Sequence, residues 1–169
     1  MPHAQRAVLT ITTSYIELIA CYPAGRESEG GSKAYFRAGL LAVFPEIKEH
    51  ARQTKEWLSL GDKPVPVPAN FVEITVKETC ESVYRDLRCG LFHIGLLRPR
   101  ILPTSGPAVC CIFDSGNWRV MSILVDRALF LQRIKAHFHR YVDTLRRSES
   151  VEASNFERLC NARFLAADQ

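Results

Sequence analysis

The sequence has no long unbroken apolar run. Nowhere does it approach the roughly 20 consecutive apolar residues that a membrane-spanning helix requires, so no membrane association is expected. The first residues, MPHAQRAVLTITTSYIELIA, are interrupted by Thr10, Thr12, Thr13, Ser14 and Glu17 where a secretory leader needs a continuous apolar core. No signal peptide is expected, and the cytoplasm is the expected compartment. The cysteines Cys21, Cys80, Cys89, Cys110, Cys111 and Cys160 include no C-x-x-C pair, which argues against a redox motif or a zinc ribbon. Reduced thiols, mostly packed as small core residues, are the plain reading. There is no internal repeat and no low-complexity tract beyond one proline-rich connector.

What is present is enough apolar material for one core. With 169 residues, 47% of them hydrophobic, a single domain spanning 1–169 is expected. A formal charge of +4, from 22 basic and 18 acidic residues, permits contact with phosphate without demanding it.

Helical periodicity dominates. Val8, Ile11, Tyr15, Leu18, Ile19 and Tyr22 predict an amphipathic helix over 7–22 with that stripe facing the core, and Pro23 and the glycine-rich run after it stop the helix. A second helix is expected over 32–44, ended by Pro45, and a third carries Ile47, Thr54, Trp57 and Leu58 inward to Gly61. Pro64, Pro66 and Pro68 make a stiff connector. Asn70 and Glu73 have the spacing of a reciprocal cap that launches a long helix past Leu91. Val109–Phe113 and Trp118–Val125, rich in β-branched and aromatic residues, are separated by Asp114, Ser115, Gly116 and Asn117 and predict a hairpin. Asp126 caps a helix whose apolar face is Phe130, Ile134, Phe138, Tyr141 and Leu145; its other side is basic. Ser154 and Glu157 predict the cap of a last helix. The fold class is mainly α: a bundle of about six helices with a small hairpin insertion.

Chemistry concentrates in Tyr84-Arg85-Asp86-Leu87-Arg88-Cys89-Gly90-Leu91-Phe92-His93-Ile94-Gly95. Glycine inside a helix costs about 1 kcal/mol relative to alanine, so two of them call for a reason. Arginine supplies a permanent planar cation that fits phosphate oxygens, and histidine exchanges protons near neutral pH. The pair suits phosphodiester cleavage, with His93 as general acid or base and Arg88 stabilising the developing charge. Five residues along a regular helix give a rise of roughly 7.5 Å and a rotation about 140° beyond a full turn, so the two do not share a stripe. A second copy across a two-fold axis would bring four such groups into one cleft.

The stretch from Arg88 to His93 resembles the R-x4-6-H motif of the HEPN family, compact helical domains of toxin, defence and RNA-processing systems. The resemblance implies a homodimeric, metal-independent endoribonuclease that uses the RNA 2′-hydroxyl as nucleophile. It places Arg88 and His93 at the catalytic site, with Tyr84, Arg85 and Cys89 supporting them or contacting RNA, and it implies no metal and no cofactor. An antitoxin or another protein partner belongs to the same expectation. Catalytic members often carry Asn, Asp or His after the arginine, where this chain has Cys89; the alternative is a non-catalytic HEPN-like interaction or dimerisation module.

Other readings of these residues stand beside that one. Arg88 and His93 also suit an ion pair and a helix cap. Cys89 and His93, at i and i+4, could ligate zinc, although no second ligand pair has a matching spacing. Asp86 reads as a surface charge, and Arg85 could pair with Glu81 one turn back. His137 and His139 read as surface residues, and Trp57 and Trp118 as core. A small-molecule-binding helical domain would instead show a closed apolar pocket and a monomer.

Overall fold

The computed structural model describes residues 3–25, 30–60, 65–90, 101–114, 116–147 and 149–165. Helices α1 (His3–Ala24), α2 (Ser32–Val43), α3 (Glu46–Leu60) and α4 (Phe71–Ser82) are followed by a π-helical segment, Val83–Cys89, that continues α4. Strands β1 (Ile101–Pro103), β2 (Val109–Phe113) and β3 (Val120–Val125) then precede α5 (Arg127–Leu145) and α6 (Val151–Leu165). The protein is mainly helical with a small sheet, as the periodicity predicts.

Helix α1 lies between two sets of neighbours. The face that packs deepest carries Thr12, Thr13, Ile16, Glu17 and Ile19, whereas Val8 and Ile11 of the expected stripe are exposed. The reason is the contact with α2: a Cβ built at Gly39 would overlap the Ile16 carbonyl oxygen, so glycine lets the two backbones meet there. Hydroxyls on this face return to their own helix, Thr12 to the Val8 carbonyl and Thr13 to the Thr10 carbonyl at 3.0 Å, so they are buried without loss of hydrogen bonding. The opposite face meets α5 and α6 through aromatic rings: Tyr15 with Phe138 at 5.7 Å and Tyr22 with Phe156 at 5.2 Å.

The hairpin is joined by a third strand. β3 is central, antiparallel to β2 and parallel to β1, with Ile123 opposite both Cys111 and Ile101. Ile101–Pro103 is too short to show a strand period, so nothing in its pattern announced the pairing. The Asp114 side chain organises the turn, accepting from the Gly116 and Asn117 nitrogens at 2.8 and 3.1 Å. Val109, Ile123 and Val125 join Ile16, Phe36, Leu40, Phe44, Val83, Leu87 and Phe130 in one core.

Several expected details are corrected. Trp57 is 73% exposed and Thr54 is exposed too, because the core contacts of α3 lie in its first half, at Ile47 and Ala51. Trp118 is half-buried, packed edge-on against Phe71 at 4.9 Å. Asn70 makes no side-chain cap, whereas Asp126 accepts from the Leu129 amide at 3.0 Å as predicted. Helix α6 starts before Ser154; the Ser150 hydroxyl takes the capping role by accepting from the Ala153 amide at 3.1 Å, which puts Ser154 and Glu157 inside the helix. No helix among the described residues is long and apolar enough to cross a membrane.

Candidate functional site

The stripe Thr75, Val76, Thr79, Cys80, Val83, Asp86 and Leu87 is buried continuously from α4 into the π segment, which fixes this element against the core. Widened π turns occur mostly as short insertions and often at functional positions. Here the turn carries four of the five residues singled out from the sequence: Tyr84, Arg85, Arg88 and Cys89. His93 lies outside the described residues.

Arg88 reaches back to α1, where its Nη2 donates to Glu17 Oε2 at 3.1 Å across a sequence separation of 71 residues. The side chains retain 17% and 9% exposure, so this is a largely desolvated ion pair. The same guanidinium lies 5.6 Å from the centre of the Tyr84 ring, a cation–π contact. Tyr84 is itself held on two sides: its hydroxyl donates to Ser32 Oγ at 3.3 Å, and its ring meets Phe36 edge-on at 5.3 Å. Arg88 is thus positioned by α1 on one side and, through Tyr84, by the start of α2 on the other.

One indirect signal for Glu17 is legible beforehand: it is a carboxylate interrupting the apolar and hydroxyl-bearing run of α1. Such a group is rarely buried without a cation. Which cation it meets depends on how α1 crosses the π segment, and local pattern does not carry that.

Arg85 does not pair with Glu81. It grips Asp86 with Nε at 3.0 Å and Nη2 at 3.2 Å, and Nη2 also reaches Ser82 Oγ at 3.3 Å. Its pKa is raised, chiefly by the hydrogen bond to Asp86. Asp86, expected at the surface, has a side chain only 1% exposed; the face it shares with Val83, Leu87 and Gly90 turns inward. Half of the Arg85 side chain faces solvent. Cys89 is a half-buried free thiol, and no metal-binding cluster of histidine, cysteine or acidic residues occurs among the described residues. His139 is exposed, but His137 is half-buried under Tyr15, with ring centres 6.4 Å apart.

A groove of about 590 Å³ runs between α2 and α4. Ala34, Ala38, Leu41 and Cys80 form apolar walls, with Lys33, Arg37 and Glu81 among them. Lys33 and Glu81 pair at 2.9 Å. The Glu81 carboxyl is held below its usual range, first by the hydrogen bond from Lys33 and further by the charges of Lys77 and Arg37, while burial opposes them. Burial pushes the Cys80 thiol up to about 11, against the opposing charges of Arg37 and Lys48. No family model, curated protein or solved structure matches the chain.

Proposed function

We propose that this chain is a HEPN-like RNA-binding domain that acts as a homodimer and cleaves RNA without a metal, with Arg88 and His93 as its working pair. The observation that carries the reading is the fixed position of Arg88: a permanent cation clamped by Glu17 and Tyr84 on a π turn, with part of its side chain at the surface. A cation already in place needs no reorganisation when charge develops on phosphorus, which is the condition for effective electrostatic catalysis. In the reaction, the RNA 2′-oxygen forms a bond to the adjacent phosphorus and the bond from phosphorus to the 5′-oxygen breaks. The 2′-hydroxyl proton passes to a base and the departing oxygen takes a proton, leaving a 2′,3′-cyclic phosphate. His93 of one copy and His93 of its partner would serve as base and acid.

A non-catalytic dimerisation module is the second reading, and a specific observation favours it: Glu17 offsets the charge of Arg88 in a largely desolvated pair. Cys89 in place of a polar partner points the same way.

Incubation of the protein with single-stranded and structured RNA in excess EDTA separates the two. Arg88→Lys retains a cation for Glu17 but not the planar fork, and His93→Ala removes the proton carrier. Cleavage by the parent protein that leaves 2′,3′-cyclic ends, lowered about 100-fold or more in both variants, supports the catalytic reading. Intact RNA in every reaction overturns it, and a dimer that persists under those conditions then supports the module.

A further inference from the structure

We infer that the groove between α2 and α4 is a binding subsite for single-stranded RNA, taking a nucleotide near the Arg88 site with its base on the apolar wall and its phosphate on Arg37. The inference rests on the RNA reading above and specifies which surface the strand follows.

Size and lining point to this ligand. About 590 Å³ lies within the roughly 300–1,000 Å³ range of small-ligand sites. Ala34 and Ala38, one turn apart on α2, with Leu41 beyond them and Cys80 across the groove, present small apolar side chains that a flat base can approach closely. A duplex offers its outer surface as phosphate and 2′-hydroxyl and keeps its bases stacked inside, so it has no use for such a wall. An unstacked strand exposes both a base and a phosphate at each step.

Charge agrees. Lys33 and Arg37 lie one helical turn apart along the groove, and Lys77 and Arg37 both act on Glu81, while Lys48 and Arg37 act on Cys80. Among the described residues Glu81 is the one carboxylate lining the groove, and Lys33 pairs with it, which leaves Arg37 to meet a phosphate. The groove also connects with the candidate site. Ser32, next to Lys33, accepts from the Tyr84 hydroxyl, and Glu81 bears on Arg85 of the π segment. The groove therefore adjoins the residues that hold Tyr84 and Arg85 in place.

The test uses a fluorescent hexauridylate and a 12-base-pair RNA duplex, with binding followed by anisotropy across a range of salt, for the parent protein, Arg37→Gln and Ala38→Trp. Folding of each variant is checked by circular dichroism. Arg37→Gln is expected to weaken hexauridylate binding several-fold and to reduce the slope of log affinity against log salt by about 0.7, the value for one phosphate contact on a single strand. Ala38→Trp, which fills the wall, is expected to weaken it about tenfold without changing that slope. Methyl resonances of Ala34 and Ala38 should shift on titration. Hexauridylate binding that is unchanged in both variants, with no alanine methyl shift, overturns the subsite while leaving the RNA reading intact. Failure of the parent protein to bind either RNA overturns both, and preference for the duplex overturns the single-strand assignment.

Discussion

Arg88 and Glu17 hold each other in a setting where neither charge is well hydrated. Removing one partner of a buried pair typically costs about 3–5 kcal/mol because the other is stranded. The 17% exposure of Arg88 places Arg88→Ala near the lower end, about 3 kcal/mol, measurable by urea denaturation. Replacing both residues, as Glu17→Leu with Arg88→Met, is expected to be milder than either single change, since neither member of the pair is left without the other. A loss of RNA cleavage in that double variant with the fold retained would separate the chemical role of Arg88 from its structural one.

His137 gives a pH dependence of known sign. Burial, and then the charge of Arg140, hold its pKa below the ordinary 6.5, and its Nδ1 is buried with no hydrogen-bond partner among the described residues. The unfolded chain therefore binds a proton at a pH where the folded chain does not. Stability from this residue is present above 6.5 and falls as pH drops from there towards the folded value. His137→Gln should flatten that part of a plot of urea midpoint against pH.

At the scale of elements, the crossing of α1 and α2 is the most sensitive. Gly39→Ala sets a methyl against the backbone carbonyl of Ile16, which no side-chain rotation relieves. The expected loss is about 3 kcal/mol, read in the thermal or urea midpoint, with a displaced Tyr84 and Arg88 as the secondary effect. Trp57→Ser, on the exposed second half of α3, is expected to stay within about 0.5 kcal/mol of the parent.

These two residues also illustrate which features could be read from the sequence. Type and order of elements follow from local periodicity, and a cap such as Asp126 is legible because its acceptor and its amide lie three residues apart. Which face of a helix turns inward depends on partners elsewhere in the chain. Trp57 looks like core by composition, and Gly39 looks unremarkable until α1 is laid across it. The π turn and the burial of Asp86 escaped for the same reason: tertiary contacts set them, and the local spacing is that of an ordinary helix.

For the whole molecule, alkaline conditions act on several places together. Burial raises the Tyr15 and Tyr141 hydroxyls to about 12 and the Cys80 thiol to about 11, from ordinary values of 10.0 and 9.0. Each stays neutral in the folded chain where the unfolded chain ionises, so stability is lost as pH rises through 9 and beyond. Cys80→Ala should remove the earliest part of that decline in alkaline denaturation curves.

The placement of β3 sets an order of assembly. β1 and β2 are made first, yet among the described residues both pair only with β3, which is the last strand made and inserts between them. During synthesis, α1 to α4 can gather while both outer strands still lack the ladder partner that gives them a sheet. A chain ending at Arg119 would retain the whole π turn and expose two unpaired strands, a recognised route to edge-to-edge association. Completion of β3 therefore closes the sheet, and the helix that follows it directly, α5, can then bring its aromatic residues onto α1.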